Sequence, residues 1–185
     1  MNKENLYGNI RGRSSTIMAQ YIKAVLGKPE LTTKNSKEYY KKFGMDSEKC
    51  AYCGNDSNTL DHINSAIKNS SFTGYDHSSR NLIPCCQMCN SSKGNKTIVE
   101  WLDCEKITKR ALFIKESKDY SKRRKLIDEY IRKNNSNKKA FDGEILKEMN
   151  KKARAFYDIQ IKKLNELDKI LLEDKKAFDK MVQKQ

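Results

Sequence analysis

The stretches Cys50-Ala51-Tyr52-Cys53-Gly54 and Asn81-Leu82-Ile83-Pro84-Cys85-Cys86-Gln87-Met88-Cys89-Asn90 each carry two cysteines three positions apart, and Leu60-Asp61-His62-Ile63 lies between them. Thiolates at i and i+3 on a tight turn reach one ion, and structural zinc takes four tetrahedral ligands. Cys50, Cys53, Cys86 and Cys89 therefore read as one four-cysteine zinc cage. Gaps between such pairs commonly run about 15–20 residues. This gap is longer, so something is inserted between the two halves, and the insert carries Asp61 and His62. Free or redox-active cysteines are the bland alternative. Two such pairs in one short polar segment count against it. Cys85 abuts Cys86, but only Cys86 has the right spacing to Cys89. Cys104 is expected to pack as a small apolar residue on the following helix.

Composition agrees with a small stapled core. Of 185 residues, 34% are charged and 37% hydrophobic, too few apolar groups for one large interior. A metal supplies folding free energy that a small core lacks. The fold expected is α+β: a zinc-stapled core flanked by N-terminal helices and long C-terminal helices. A net charge of +14 and a pI near 9.4 make nucleic acid the first partner to consider, ahead of acidic membrane surfaces. The polar start, MNKENLYGNIRGRSS, has no apolar h-region. No apolar run approaches a membrane span. A cytoplasmic location in a bacterial or phage context, with no membrane partner, is the expectation. In a reducing compartment, paired cysteines are metal ligands rather than disulfides.

Three stretches follow one another. In residues 1–46, Ser14 or Ser15 caps a helix through Ala19, Tyr21, Ile22 and Val25 that stops at Gly27-Lys28-Pro29. A short helix covers 37–43, ended by Gly44. Residues 47–103 hold the paired cysteines and most turn formers. There 59–63 reads as a strand, 64–80 as a polar loop, and 81–84 as a second extended piece. Thr97-Ile98-Val99-Glu100 matches a capping box, so a helix starts near Ile98. Residues 104–185 read as lysine-rich helices for DNA binding or dimerisation, broken at Asn134-Asn135-Ser136-Asn137. Beyond the break, Leu146, Met149, Ala153, Phe156, Leu164, Leu167, Leu171, Phe178 and Met181 form one apolar stripe. The stripe predicts packing on the core, on the neighbouring helix near Leu112 to Ile131, or across a homodimer.

Neighbouring side chains on a strand point to opposite faces, so Asp61 and His62 cannot share one face without a local twist. The chain has only two histidines, which favours a chemical task for one of them. C-A-Y-C-G, L-D-H-I, N-L-I-P-C-C-Q-M-C-N-S-S-K and T-I-V-E-W-L, in that order over residues 50–102, resemble the HNH endonuclease family in its zinc-knuckle form. The resemblance implies a β-hairpin and helix wrapped around one catalytic divalent ion. By position it makes His62 the general base, Asp61 and Asn90 metal ligands, Asn81 the residue that ties the hairpin loop, and Lys93 a neighbour of the phosphate. Asn90 stands where the family often has histidine. An oxygen-ligand pair suits Mg²⁺ or Mn²⁺ rather than zinc. A second Asp-His pair, Asp76-His77, falls in the predicted loop. His77 is expected to be solvated, with the rival role of base held open.

Basic residues are dense at Lys122-Arg123-Arg124-Lys125 and Lys138-Lys139. Phosphate neutralisation gives sequence-independent affinity. Arg11, Arg13, Arg80, Lys93, Arg123 and Arg124 are the candidate contacts to double-stranded DNA. Small stand-alone chains of the resembled family with helical flanks are similar to type II restriction endonucleases, which usually dimerise. A phage or mobile-element nicking or homing enzyme is the runner-up. A non-catalytic zinc-ribbon DNA-binding protein is the rival of another class.

Overall fold

A computed structural model describes residues 14–69, 71–104 and 107–182. Arg11 and Arg13 lie outside the described residues, as do the end positions of the chain. Helix α1 spans Ser14–Leu26 and α2 spans Lys37–Lys41. The first stops as the sequence indicates, and α2 ends at Lys41, short of the expected 43, with turn residues leading to Gly44. Gly27 and Gly44 take φ of +75° and +71°, the left-handed region that glycine enters without a Cβ penalty.

The centre is an antiparallel pair, β1 (Thr59–His62) with β4 (Leu82–Cys85), in register Thr59 to Cys85 and His62 to Leu82. Helix α3 (Gln87–Lys93) follows β4 directly and packs across β1. An isolated bridge between Lys49 and Asp56 closes the first cysteine turn. All four side chains of β4 are buried, whereas β1 buries Asp61.

The segment between β1 and β4 is not the plain loop expected. It folds a small hairpin, β2 (Ile67–Lys68) with β3 (Ser71–Phe72), and then a single 3₁₀ turn, Ser79–Asn81. The hairpin gives Phe72 a buried place beside Ile22, Ala66 and Ala153. Two-residue strands are too short to show a period of two, which is why the pattern hides them.

After α3 comes α4 (Ile98–Leu102), then α5 (Lys109–Lys115), α6 (Tyr120–Lys133) and α7 (Gly143–Val182). The capping box of α4 is complete. The Thr97 hydroxyl accepts from Glu100 N at 3.1 Å, and Thr97 N donates to the Glu100 carboxylate at 2.8 Å. Helix α4 carries Trp101 into the core, edge-on to Tyr52 at 5.2 Å. Cys104 lies beyond α4 and is exposed, not packed on the helix as expected, because α4 ends at Leu102.

The main core draws on all three stretches: Tyr40 from α2, Leu82 and Ile83 from β4, Trp101 from α4, Ile114 from α5, and Tyr130 from α6. Asn135, with φ +51°, turns the chain between α6 and α7. At 40 residues, α7 is about 60 Å long. The first half of its stripe is covered within the chain. Ala153 is fully buried, Leu146 and Met149 pack in the cluster around Ile22, and Phe156 meets Tyr21 at 5.1 Å. The covering elements are α1 and the β2–β3 hairpin. Further along, Ile159, Leu167 and Ile170 are each 54% exposed. Among the described residues, no helix is long and apolar enough to cross a membrane.

Candidate metal centre and the Asp61–His62 site

The two cysteine turns converge. The sulfurs of Cys50, Cys53, Cys86 and Cys89 all lie within 4.8 Å of one another. A tetrahedron with metal–sulfur bonds of ~2.3 Å has edges of about 3.8 Å. Cys53 Sγ and Cys86 Sγ are 3.8 Å apart. The cluster is therefore shaped to hold a metal ion such as zinc. Hydrogen bonding to Cys53, then to Cys85 and Cys89, holds Cys50 far below its usual range. Cys89 is raised, first by its bond to Cys50. A metal displaces these protons on binding. Cys85 is also raised, first by its bond to Cys50, and its thiol donates to the Cys86 carbonyl at 3.2 Å.

Arg110 of α5 reaches back to the cluster. Its Nε donates to Cys89 Sγ at 3.3 Å, and Nη2 lies 3.7 Å from Cys86 Sγ. A site of four thiolates holding a divalent ion carries a formal charge of about −2. A guanidinium beside it supplies compensating charge. Nothing local in the sequence marks Arg110, which stands 21 positions after Cys89.

Strand β1 sends Asp61 and His62 to opposite faces. Asp61 points inward. Its Oδ2 accepts from the Tyr52 hydroxyl at 2.7 Å and pairs with Lys93 Nζ at 3.1 Å. Burial raises the Asp61 pKa, and Lys93 opposes that rise. The Tyr52 hydroxyl is pushed well up, by burial first and by the Asp61 charge second. Tyr52 lies inside the first cysteine turn, so one turn both presents thiols and steadies Asp61.

Lys93, expected beside the phosphate, is fully buried and faces the strand. Its ammonium also donates to the His62 carbonyl at 2.7 Å. Asn90, one turn earlier on α3, is half-buried over the start of β1. Its amide donates to the Leu60 carbonyl at 3.4 Å and approaches Thr59 Oγ1 at 3.5 Å. Asp61 and Asn90 thus sit on facing elements, each with its own protein partners.

His62 meets the second histidine. Its Nε2 lies 2.7 Å from His77 Nδ1, with ring centroids 4.8 Å apart. The expectation that His77 is a solvated loop residue is corrected here, since it is only 9% exposed. The physical cause is a clamp around Asn81. Asn81 Oδ1 accepts from Asn64 N at 3.0 Å. Asn81 Nδ2 donates to the Asn64 and Asp76 carbonyls, each at 2.9 Å. The clamp folds the Asp76-His77 turn back against the end of β1.

The two arginines of the basic run are tied to the protein itself. Arg123 Nε donates to the Tyr52 carbonyl at 3.0 Å, and its Nη2 donates to the Ser117 hydroxyl. Arg124 pairs with Asp103 at 3.0 Å and with Asp128 at 3.1 Å. Both are tie-rods between α6 and the core. Arg80 lies 3.9 Å from Asp76 with its side chain 30% exposed. The exposed cations of α6 and the turn after it include Lys122, Lys125, Arg132, Lys133, Lys138 and Lys139. No family model, curated protein or solved structure matches this chain.

Proposed function

We propose that this chain is a metal-dependent DNA endonuclease of the HNH type, with zinc in the four-cysteine cluster and a second divalent ion, Mg²⁺ or Mn²⁺, beside β1. The observation that carries the reading is the local geometry. An Asp-His strand pairs with the strand leading into the second cysteine turn, and the helix bearing Asn90 and Lys93 crosses it. The zinc would act structurally, joining two turns that are 33 positions apart.

Asp61 and Asn90 would hold the second ion. Their hard oxygen donors suit Mg²⁺ or Mn²⁺ in kind, and an ion at Asp61 would share the neutralisation that Lys93 provides. When bound, such an ion clamps the scissile phosphate and stabilises the leaving oxygen. His62 takes the proton of the attacking water, the role that histidine fills most often in general base catalysis. Asn81 fixes the loop behind that histidine. Lys93 holds the Asp61 charge and the His62 carbonyl in place.

The exposed lysines of α6 and the following turn, with the net charge of +14, supply affinity for the DNA backbone. Within the nuclease class, a type II restriction enzyme acting as a homodimer on double-stranded DNA is the reading put forward. Two copies provide one site for each strand, and the exposed apolar side chains of distal α7 suit a contact between copies. One observation favours the rival, a zinc-stapled DNA-binding protein without catalysis: Asp61 is 3% exposed and already neutralised.

Incubation of supercoiled plasmid with the zinc-loaded protein and Mg²⁺ tests these readings. Discrete linear fragments support restriction, and open circles support the nicking or homing alternative. Intact plasmid that is nevertheless shifted on a gel favours the binder.

A further inference from the structure

We propose that the cleft between the end of β1, α4 and α6 is a groove for the sugar–phosphate backbone of duplex DNA, with the Arg132 guanidinium on a phosphate and deoxyribose against Val99 and Ile131. The proposal rests on the DNA-binding part of the reading above and gives it a site. The cleft has a volume of about 520 Å³. Ile63 and Asn64 line it just past β1, Ile98 and Val99 from α4, and Ile131 and Arg132 from α6. Its wall begins one residue beyond His62, so a strand lying in it passes the end of β1 that carries the proposed base.

Charge decides what this cleft takes. Along α6, Arg124, Asp128 and Arg132 recur every fourth residue and so share one face. Asp128 is within helical reach of both arginines, but both its oxygens accept from Arg124 Nε at 3.1 Å. Glu129, three positions before Arg132, pairs with Lys133 at 3.5 Å. Glu100, beside Val99 on α4, pairs with Lys68 at 2.6 Å. Every side chain that lines the cleft from outside α6 is uncharged. Arg132 is exposed and has no ion-pair partner among the described residues. Of the charged groups in the cleft, Arg124 and Asp128 cancel, and the Arg132 charge remains.

Shape selects the backbone over the base edges. Base edges are read by an element that projects into a DNA groove, whereas a concave cleft receives the convex ridge of phosphates and sugars. A guanidinium presents a planar fork that matches phosphate oxygens two at a time. Val99, 59% exposed on the opposite wall, offers the apolar surface that a deoxyribose covers. The cleft is also held open in advance. Asn64 Nδ2 donates to the Ser136 carbonyl at 2.9 Å, and the Ser136 hydroxyl donates to the Arg80 carbonyl, which pins the turn after α6 to the segment around β1.

Binding of the zinc-loaded protein to a short labelled duplex, without added Mg²⁺ and over a series of salt concentrations, tests the groove. Fluorescence anisotropy reads the affinity. Each phosphate contact contributes about 0.9 to the slope of log affinity against log salt. Arg132→Gln should flatten that slope by about one and weaken binding about tenfold, equally on unrelated sequences. Arg132→Lys should keep the slope and lose part of the affinity, because the charge stays and the fork goes. Val99→Glu sets a carboxylate on the opposite wall and should weaken binding at least as much as Arg132→Gln. Lys42→Gln, exposed just past α2 and outside the cleft, makes a charge change equal to that of Arg132→Gln and should leave the slope nearly unchanged.

A slope indifferent to Arg132→Gln, or one moved as far by Lys42→Gln, overturns the groove. So does Val99→Glu binding at the parent strength. Weakening confined to one sequence overturns the backbone contact and makes Arg132 a reader of bases. Plasmid cleavage decides the nuclease reading separately. A parent that binds with the expected slope but never cuts keeps the groove and loses the nuclease. A parent that cuts, with a slope that ignores Arg132, keeps the nuclease and loses the groove.

Discussion

Lys93 Nζ lies 3.1 Å from Asp61 Oδ2 with both side chains buried, so each charge directly offsets the other in the interior. Breaking such a pair leaves a stranded charge, which typically destabilises by about 3–5 kcal/mol. Lys93→Met keeps the stem and removes the ammonium. Asp61, already raised by burial, loses the cation that opposes the rise. Its folded-state pKa then climbs further above the unfolded value. The folded variant binds the proton more tightly than the unfolded chain, so its stability falls as pH rises. Urea unfolding of metal-loaded Lys93→Met should show a deficit that is large at neutral pH and smaller in acid. Adding Asp61→Asn should restore part of it. A single variant as stable as the parent at neutral pH would refute the pairing argument.

The metal cluster makes a separate prediction. Cys53→Ser removes one of four sulfurs from a site where a bound zinc would supply folding free energy on the order of 10 kcal/mol. Elemental analysis should find one zinc per chain in the parent and little in the variant, together with loss of the cooperative transition. Arg110→Ala is the finer probe. It leaves the four ligands in place but takes away the N–H donor 3.3 Å from Cys89. Zinc transfer to a coloured chelator should accelerate by about tenfold or more. Unchanged transfer would mean that the arginine merely packs.

The parts of this arrangement that could be read from the sequence are those set within a few residues. The cysteine turns, the Asp61-His62 strand and the Thr97–Glu100 box announce themselves because spacing and capping chemistry are local. His77 did not, although it repeats the Asp-His dipeptide. Its burial depends on Asn81 and on Glu30, which stands 49 positions before its partner Ser79. The partners of Arg123 are hidden for the same reason. A basic run looks solvated until one member finds the Tyr52 carbonyl 71 positions away. The apolar stripe of α7 was visible, but its cover was not, because Tyr21 and Ile22 lie at the other end of the chain.

Glu100 offers a pH test. Its carboxyl falls from the ordinary 4.5 to about 2, mainly through the Lys68 bond of 2.6 Å and then the Thr97 backbone. A depressed folded-state pKa gives stability that is present above the unfolded value and is lost as pH falls toward the folded one. Glu100→Gln can keep the capping box, since glutamine also reaches the N-cap N–H, but loses the charge. The gap between parent and variant should be under about 1 kcal/mol, because the pair is exposed. It should be widest at neutral pH and close between roughly pH 4.5 and 2, within the window set by the two values. A gap that persists unchanged in acid would assign the effect to packing rather than charge.

The last prediction separates base from ion ligands. His62→Ala should lower plasmid cleavage by about 10²–10⁴-fold, the usual contribution of a general base. Its zinc content should stay at the parent level, because His62 lies on β1 outside the four-sulfur cluster. Binding to DNA should also be nearly unchanged, since the proposal draws phosphate affinity from the exposed lysines. Asp61→Asn and Asn90→Ala should instead weaken the second ion, so raising Mn²⁺ should return part of their rate but none of that of His62→Ala. Asp61→Asn also removes the charge facing Lys93, so its stability must be measured beside its activity. Cleavage at the parent rate by His62→Ala would end the assignment and move the base to the other ring of the pair, His77. Rescue of all three variants by Mn²⁺ would mean that the histidine, too, acts through the ion.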